Sequence, residues 1–152
     1  MSPLASGSGR RPQIRYTPGG MYTRAMATIN LTESTFADTI NNNDIVLVDF
    51  WAAWCGPCRM FAPVYETVSE ANTDMVFAKV DTEAEPGLAG AFGISSIPTL
   101  MVVRDGVVLY SQAGALPEPA LVNLVQAIRD VDMDEVRAAI AAQEAEKATA
   151  DE

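Results

Sequence analysis

At 152 residues and 49% hydrophobic content the chain is long enough for one domain that buries a core without disulfide staples. Its formal charge is −10: residues 1–30 hold four Arg and no acid, residues 31–129 hold 12 acids against four bases, and residues 130–152 hold eight against two, so the clustered Lys and Arg that phosphate binding needs are missing and a nucleic-acid partner is disfavoured. The absence of histidine removes Cys-His pairs, Ser-His-Asp triads and imidazole metal sites, and two cysteines fall short of the four ligands of a structural zinc, so no metal is expected.

Residues 1–25 are rich in Gly, Ser, Pro and Arg without apolar periodicity, which predicts a disordered leader or a segment added in cloning. Arg10-Arg11 invites a twin-arginine export signal, but no apolar stretch or small-residue cleavage site follows, and a start at Met21 or Met26 is the preferred explanation. The domain proper is expected over 26–131. A short strand at 27–31 leads into a helix at about 33–42 with Thr32 as its N-cap, and the continuous apolar run 45–51 reads as a buried strand. A helix follows from about 56 to 71 with Pro63 as an interior kink, then a strand at 75–81 and a short helix from Pro86 to Phe92 ended by Gly93. Two apolar strands, 99–104 and 107–112, flank Asp105-Gly106, a tight-hairpin signal, and apolar positions 121, 124, 125 and 128 give residues 116–131 one helical stripe. The order is βαβαβαββα. Residues 132–152 form an acidic helical tail, a solvated extension or, in its sharper form, a docking or dimerising appendage. No apolar run approaches the ~20 residues needed to span a bilayer, so no membrane partner is expected.

Both cysteines lie in Trp54-Cys55-Gly56-Pro57-Cys58, three positions apart at the junction of a strand and a helix. Two such thiols can close a small ring, and a helix N-terminus stabilises the thiolate of the first, so Cys55 is the expected nucleophile. Reduction of a disulfide needs an attacking thiolate and a second nearby thiol to displace the mixed disulfide; Cys58 can supply the second step. Asp49 interrupts Ile, Val and Leu in the buried strand, where an unpaired carboxylate is costly and tends to keep its proton. The few glycines form no dinucleotide-binding turn, so electrons must come from a partner.

The run Val46-Leu47-Val48-Asp49-Phe50-Trp51-Ala52-Ala53-Trp54-Cys55-Gly56-Pro57-Cys58-Arg59-Met60 resembles the active-site segment of the thioredoxin family. Phe61-Ala62-Pro63, Ala78-Lys79-Val80-Asp81, Phe92-Gly93-Ile94, Ile97-Pro98-Thr99, Asp105-Gly106 and Ala113-Gly114-Ala115 continue the resemblance in order, over about 29–129. It implies an α/β thioredoxin fold, a central mixed sheet of about five strands flanked by about four helices. It implies a thiol-disulfide oxidoreductase with a redox-active Cys55-Cys58 disulfide, no other cofactor, protein-disulfide substrates and re-reduction by an NADPH-dependent thioredoxin reductase. By the same resemblance Asp49 deprotonates Cys58, Lys79 is its cationic neighbour, and Pro98 is cis. An apolar collar of Trp54, Gly56, Pro57, Ile97, Pro98 and Gly114 surrounds Cys55 for docking of protein segments, while Trp51 packs under the motif. Arg59 stands where thioredoxins often carry Lys. The implied protein is a cytoplasmic monomer. The rivals are an oxidase or isomerase with a less stable disulfide, a binding module or holdase whose redox activity is incidental, and a cluster- or metal-bridged dimer.

Overall fold

The computed structural model describes residues 27–150 and two short strands ahead of them, β1 (Ile14–Thr17) and β2 (Met21–Arg24). These two pair antiparallel within the stretch where the composition led us to expect no regular structure, Ile14 opposite Arg24 and Thr17 opposite Met21. The rest of the expected leader and the last two residues of the tail lie outside the described residues.

The domain follows the expected alternation. Strand β3 (Ile29–Asn30), helix α1 (Phe36–Asn41), strand β4 (Ile45–Trp51), helix α2 (Gly56–Ala71), strand β5 (Val76–Asp81), helix α3 (Pro86–Ala91), strands β6 (Thr99–Arg104) and β7 (Val107–Ala113), and helices α4 (Glu118–Asp130) and α5 (Met133–Ala150) succeed one another. The sheet order is β3-β5-β4-β6-β7, with β4 parallel to β5 on one side and antiparallel to β6 on the other. β4 is thus central, and a strand covered on both faces needs side chains that are apolar on both, as its sequence supplies.

Alternation along β4 sorts the core into two layers. Ile45 and Leu47 join Phe61, Tyr65 and Val68 of α2 and Leu121, Val125 and Ile128 of α4. Val46, Val48 and Phe50 face the other way, with Phe36 of α1 and Leu88 of α3. Asp49 and Trp51, two and four residues beyond Leu47, therefore fall on the face that α2 covers.

Local chemistry accounts for the boundaries. Asp105 and Gly106 both take positive φ, 52° and 79°, as a two-residue turn that matches strand twist requires. Helix α1 starts three residues later than expected. Thr32 does not cap it; its carbonyl accepts from the Thr35 and Phe36 amides, and its own amide donates 2.9 Å to Thr35 Oγ1, so 32–35 is a turn ahead of the helix. Helix α2 runs unbroken through Pro63. Between α4 and α5 the backbone of Val131 is extended, ψ 133°, and the Asp132 carboxylate accepts from the Asp134 and Glu135 amides to start the next helix. Helix α5 is exposed apart from its buried first residue, Met133, and half-buried Val136 and Ile140.

Two arginines moor α4. Arg104 Nη1, at the end of β6, faces the carbonyls of Ile128, Arg129 and Val131 at 2.9, 3.3 and 3.0 Å, placing a cation at the negative end of the helix dipole. Arg129 pairs with Asp74 at 2.9 Å and donates to Asn72 Oδ1, which ties α4 to the α2–β5 turn. Replacing Arg104 with Met should lower stability by about 2 kcal/mol in urea unfolding, because carbonyls that accept from a charged donor lose it together.

Candidate active site

The end of β4 and the start of α2 build the site. Trp51 ends the strand, residues 52–55 turn, and Pro57 sits in the first turn of α2, where its missing N–H costs nothing. Cys55 is the residue before the helix, in an extended conformation, and its Sγ accepts from the Cys58 amide at 3.2 Å. The sulfur thus takes the place of the usual capping oxygen, on a free backbone donor at the positive end of a helix. Cys55 and Cys58 are joined as a disulfide with their Cα atoms 5.2 Å apart, and both are buried.

The segment ahead of β6 closes over the pair. The Ile97–Pro98 peptide is cis, and the Ile97 carbonyl oxygen lies 3.8 Å from Cys55 Sγ. Pro98 is buried while Ile97 is half-buried, so only the second offers side-chain surface. The Pro98 carbonyl accepts from the Gly114 amide at 2.8 Å, which brings the end of β7 to the same place. Gly114 has φ 111°, which an L side chain rarely adopts, and a Cβ there would meet no atom of the chain. Trp54 is 67% exposed, Pro57 exposed and Gly56 half-buried. The Trp54 indole is not free: its Nε1 donates to Glu83 Oε1 at 2.8 Å. Arg59, exposed, donates from Nη1 to the Ala53 carbonyl at 2.8 Å.

Beneath this surface Asp49 is 1% exposed, and among the described residues no hydrogen-bond donor reaches either of its carboxylate oxygens. Burial pushes its carboxyl from 3.8 up to about 7, an effect that the positive charge of Lys79 partly offsets. Lys79 is directly opposite Asp49 in the β4–β5 register, but its Nζ lies 4.8 Å from the centre of the Trp51 ring. Tyr65, fully buried on α2, donates its hydroxyl to the Ala78 carbonyl at 2.8 Å, and burial together with the Asp49 charge holds that phenol well above its ordinary value.

Cys55 Sγ thus lies against the Ile97 carbonyl and Pro98 is tied to Gly114, while Trp54, Gly56, Pro57 and Cys58 share the turn and first helical residues with Cys55, and Asp49 and Lys79 are opposite each other in the β4–β5 register. Sequence reasoning missed Glu83, which nothing local marks as a partner of Trp54. Among the described residues no group of three or more His, Cys, Asp or Glu is arranged to hold a metal ion, and no helix is long and apolar enough to cross a membrane.

A dithiol pair at the N-terminus of a helix, fed by the central strand of a β3-β5-β4-β6-β7 sheet and faced by a cis-proline loop, defines a thiol-disulfide oxidoreductase of the thioredoxin fold. The Thioredoxin family model matches residues 27–127. A Streptomyces coelicolor protein assigned as thioredoxin 2 is 58% identical over 120 residues, 79% of this chain and 90% of that protein. The thioredoxin of Mycobacterium tuberculosis is 46% identical over 99 residues, covering 64% and 85%. Among solved structures, a mutant thioredoxin from Halobacterium salinarum superposes with a TM-score of 0.64 at 35% identity, over 72% of this chain and 98% of that one. The chain belongs to the thioredoxin family.

The raised Asp49 carboxyl makes stability depend on pH with a definite sign. The folded form holds the proton more tightly than the unfolded one, so this contribution is fully present below about pH 4 and is lost as pH rises through about 7. Relative to Asp49→Asn, the parent protein should lose up to about 4 kcal/mol between pH 4 and 8. Parallel denaturant titrations across that range check this; parallel curves for the two proteins would contradict it.

Proposed function

We propose that this chain is a protein-disulfide reductase. The Cys55 thiolate attacks one sulfur of a substrate disulfide, forming a mixed disulfide and releasing the other sulfur as a thiolate. Asp49 takes the proton from the Cys58 thiol, and the Cys58 thiolate attacks Cys55 Sγ, displacing the second substrate sulfur. The substrate has then gained two electrons and the chain holds the Cys55-Cys58 disulfide, which a partner, an NADPH-dependent thioredoxin reductase, reduces again. The carrying observation is the 3.2 Å bond from the Cys58 amide to Cys55 Sγ, which favours a thiolate at Cys55 over one at Cys58.

Supporting the second step, Asp49 is a buried carboxyl pushed up to about 7, poised to gain and lose a proton near neutrality, on the sheet face that α2 covers. Lys79 is its charged neighbour. Protein segments dock on Trp54, Gly56, Pro57, Ile97, Pro98 and Gly114; the exposed indole, the open space at Gly114 and the half-buried Ile97 ahead of β6 suit an added strand-like segment. Gly56-Pro57 between the cysteines resembles the reducing members of the family. In this reading the redox domain spans 26–131 and acts as a monomer in the cytoplasm, without a cofactor beyond its disulfide.

Cys58→Ser should accumulate a stable mixed disulfide through Cys55 with a disulfide-containing protein, seen by non-reducing electrophoresis and lost with dithiothreitol; no adduct means the roles are wrongly assigned. With Cys58 intact, Asp49→Asn should slow resolution of the mixed disulfide roughly tenfold or more at pH 7 and leave the first attack nearly unchanged. Equal slowing of both steps would remove Asp49 as the base. Equilibration against glutathione, read by thiol alkylation, should place the couple well below the glutathione pool; a value near or above it would make the protein an oxidase or isomerase.

A further inference from the structure

We propose that Trp51 is a positioning residue that holds the Lys79 ammonium on its indole face and so leaves Asp49 without a counter-ion. Asp49 and Lys79 are directly opposite in adjacent parallel strands, the arrangement in which an ion pair would ordinarily form. Neither Asp49 oxygen is nevertheless reached by a donor, and Lys79 Nζ lies 4.8 Å from the Trp51 ring centre, within the range of a cation–π attraction. Trp51 and Asp49 are two residues apart on one strand, so their side chains share a face and both adjoin Lys79. The Trp51 Nε1 is itself buried without a partner, so the ring is held by its faces and not by its N–H.

Other elements packed over Asp49 offer no substitute cation. Helix α2 presents Tyr65, whose hydroxyl is committed to Ala78 and whose phenol feels the Asp49 charge; β6 places Leu100 opposite Asp49; α4 adds Leu121 and Val125 to the same layer. Among the described residues Lys79 is thus the one positive charge that lowers the Asp49 carboxyl, and its effect is smaller than that of burial. Removing the ring frees the ammonium to turn toward the bare carboxylate, which would stabilise the ionised form.

The placement of Lys79 stands on geometry alone; its consequence for turnover rests on the proposal that Asp49 is the base. The test is a carbon-13 NMR titration of the Asp49 side-chain carboxyl in the oxidised protein. Trp51→Leu should lower the midpoint by about one pH unit or more. Trp51→Phe, which keeps a ring face, should stay near the parent. In a Lys79→Met background Trp51→Leu should produce no fall. An unchanged or higher midpoint in Trp51→Leu overturns the proposal, as does an equal fall in the Lys79→Met background, which would point to water entry. Should Trp51→Leu fail to fold, Trp51→Met is read in the same way. In the parent protein the Lys79 side-chain methylenes should be shifted upfield by the indole ring current, and ordinary shifts would also overturn it. A midpoint that falls in Trp51→Leu while the pH profile of mixed-disulfide release stays put supports the Trp51 role and refutes Asp49 as the base.

Discussion

An ionisable carboxyl in the middle strand of a sheet covered on both faces is the constraint around which this domain is arranged. Strand β4 must be central to carry the redox pair from the core to the surface, and a central strand has no solvent-facing side on which to keep an acid. Asp49 therefore bears a cost of desolvation that the neighbouring lysine, held against an aromatic ring, offsets only in part. The result is a carboxyl that neither stays ionised at all ordinary pH values nor stays neutral, which a purely structural ion pair could not provide.

The same strand fixes the chemistry above it. Because β4 ends at Trp51 and α2 begins at Gly56, the turn between them has room for only a few residues, and Cys55 arrives at the one position where a sulfur can cap the helix. The opposite wall comes from distant sequence: β6 pairs antiparallel with β4, so the residues preceding β6 emerge at the end of β4 where the cysteines lie. Pairing of β6 with β7 then returns Gly114 to the same edge, joined to Pro98 by a backbone bond. Three separated segments thus converge because of strand order, while the moorings of α4 by Arg104 and Arg129 keep the layer beneath them closed.

Features that depend on local periodicity were legible in the chain. The buried run of β4, the span of α2, the Asp105-Gly106 turn and the alternation of elements each follow from residues within one window, and the motif with its surrounding resemblance located the site. Features that depend on pairing between distant segments were not. Which oxygen or ring Lys79 meets is decided by β4–β5 register and by a competitor two residues from Asp49, so Trp51 read as packing alone. Glu83 finds Trp54 across 29 positions. The start of α1 differs from the expectation for a different reason: the Thr32 amide and carbonyl close a turn on Thr35 and Phe36, and Thr35, the residue before the helix, makes no side-chain cap bond. The β1–β2 pairing within 14–24 is hidden by the Gly, Pro and Arg content of the whole segment, although Ile14-Arg15-Tyr16-Thr17 alternates apolar and polar residues over one short strand.

The two tryptophans also make the protein its own optical instrument. Trp51 is partly shielded and has an ammonium over one face, whereas Trp54, three residues later, is largely solvated and tethered through its N–H to a carboxylate. The two indoles should for that reason emit at different wavelengths, and the second is the more open to a dissolved quencher such as iodide. Light collected at the blue edge therefore follows the buried charge, and light collected at the red edge follows whatever binds over the cysteines, so two parts of one reaction can be watched separately in an unlabelled molecule.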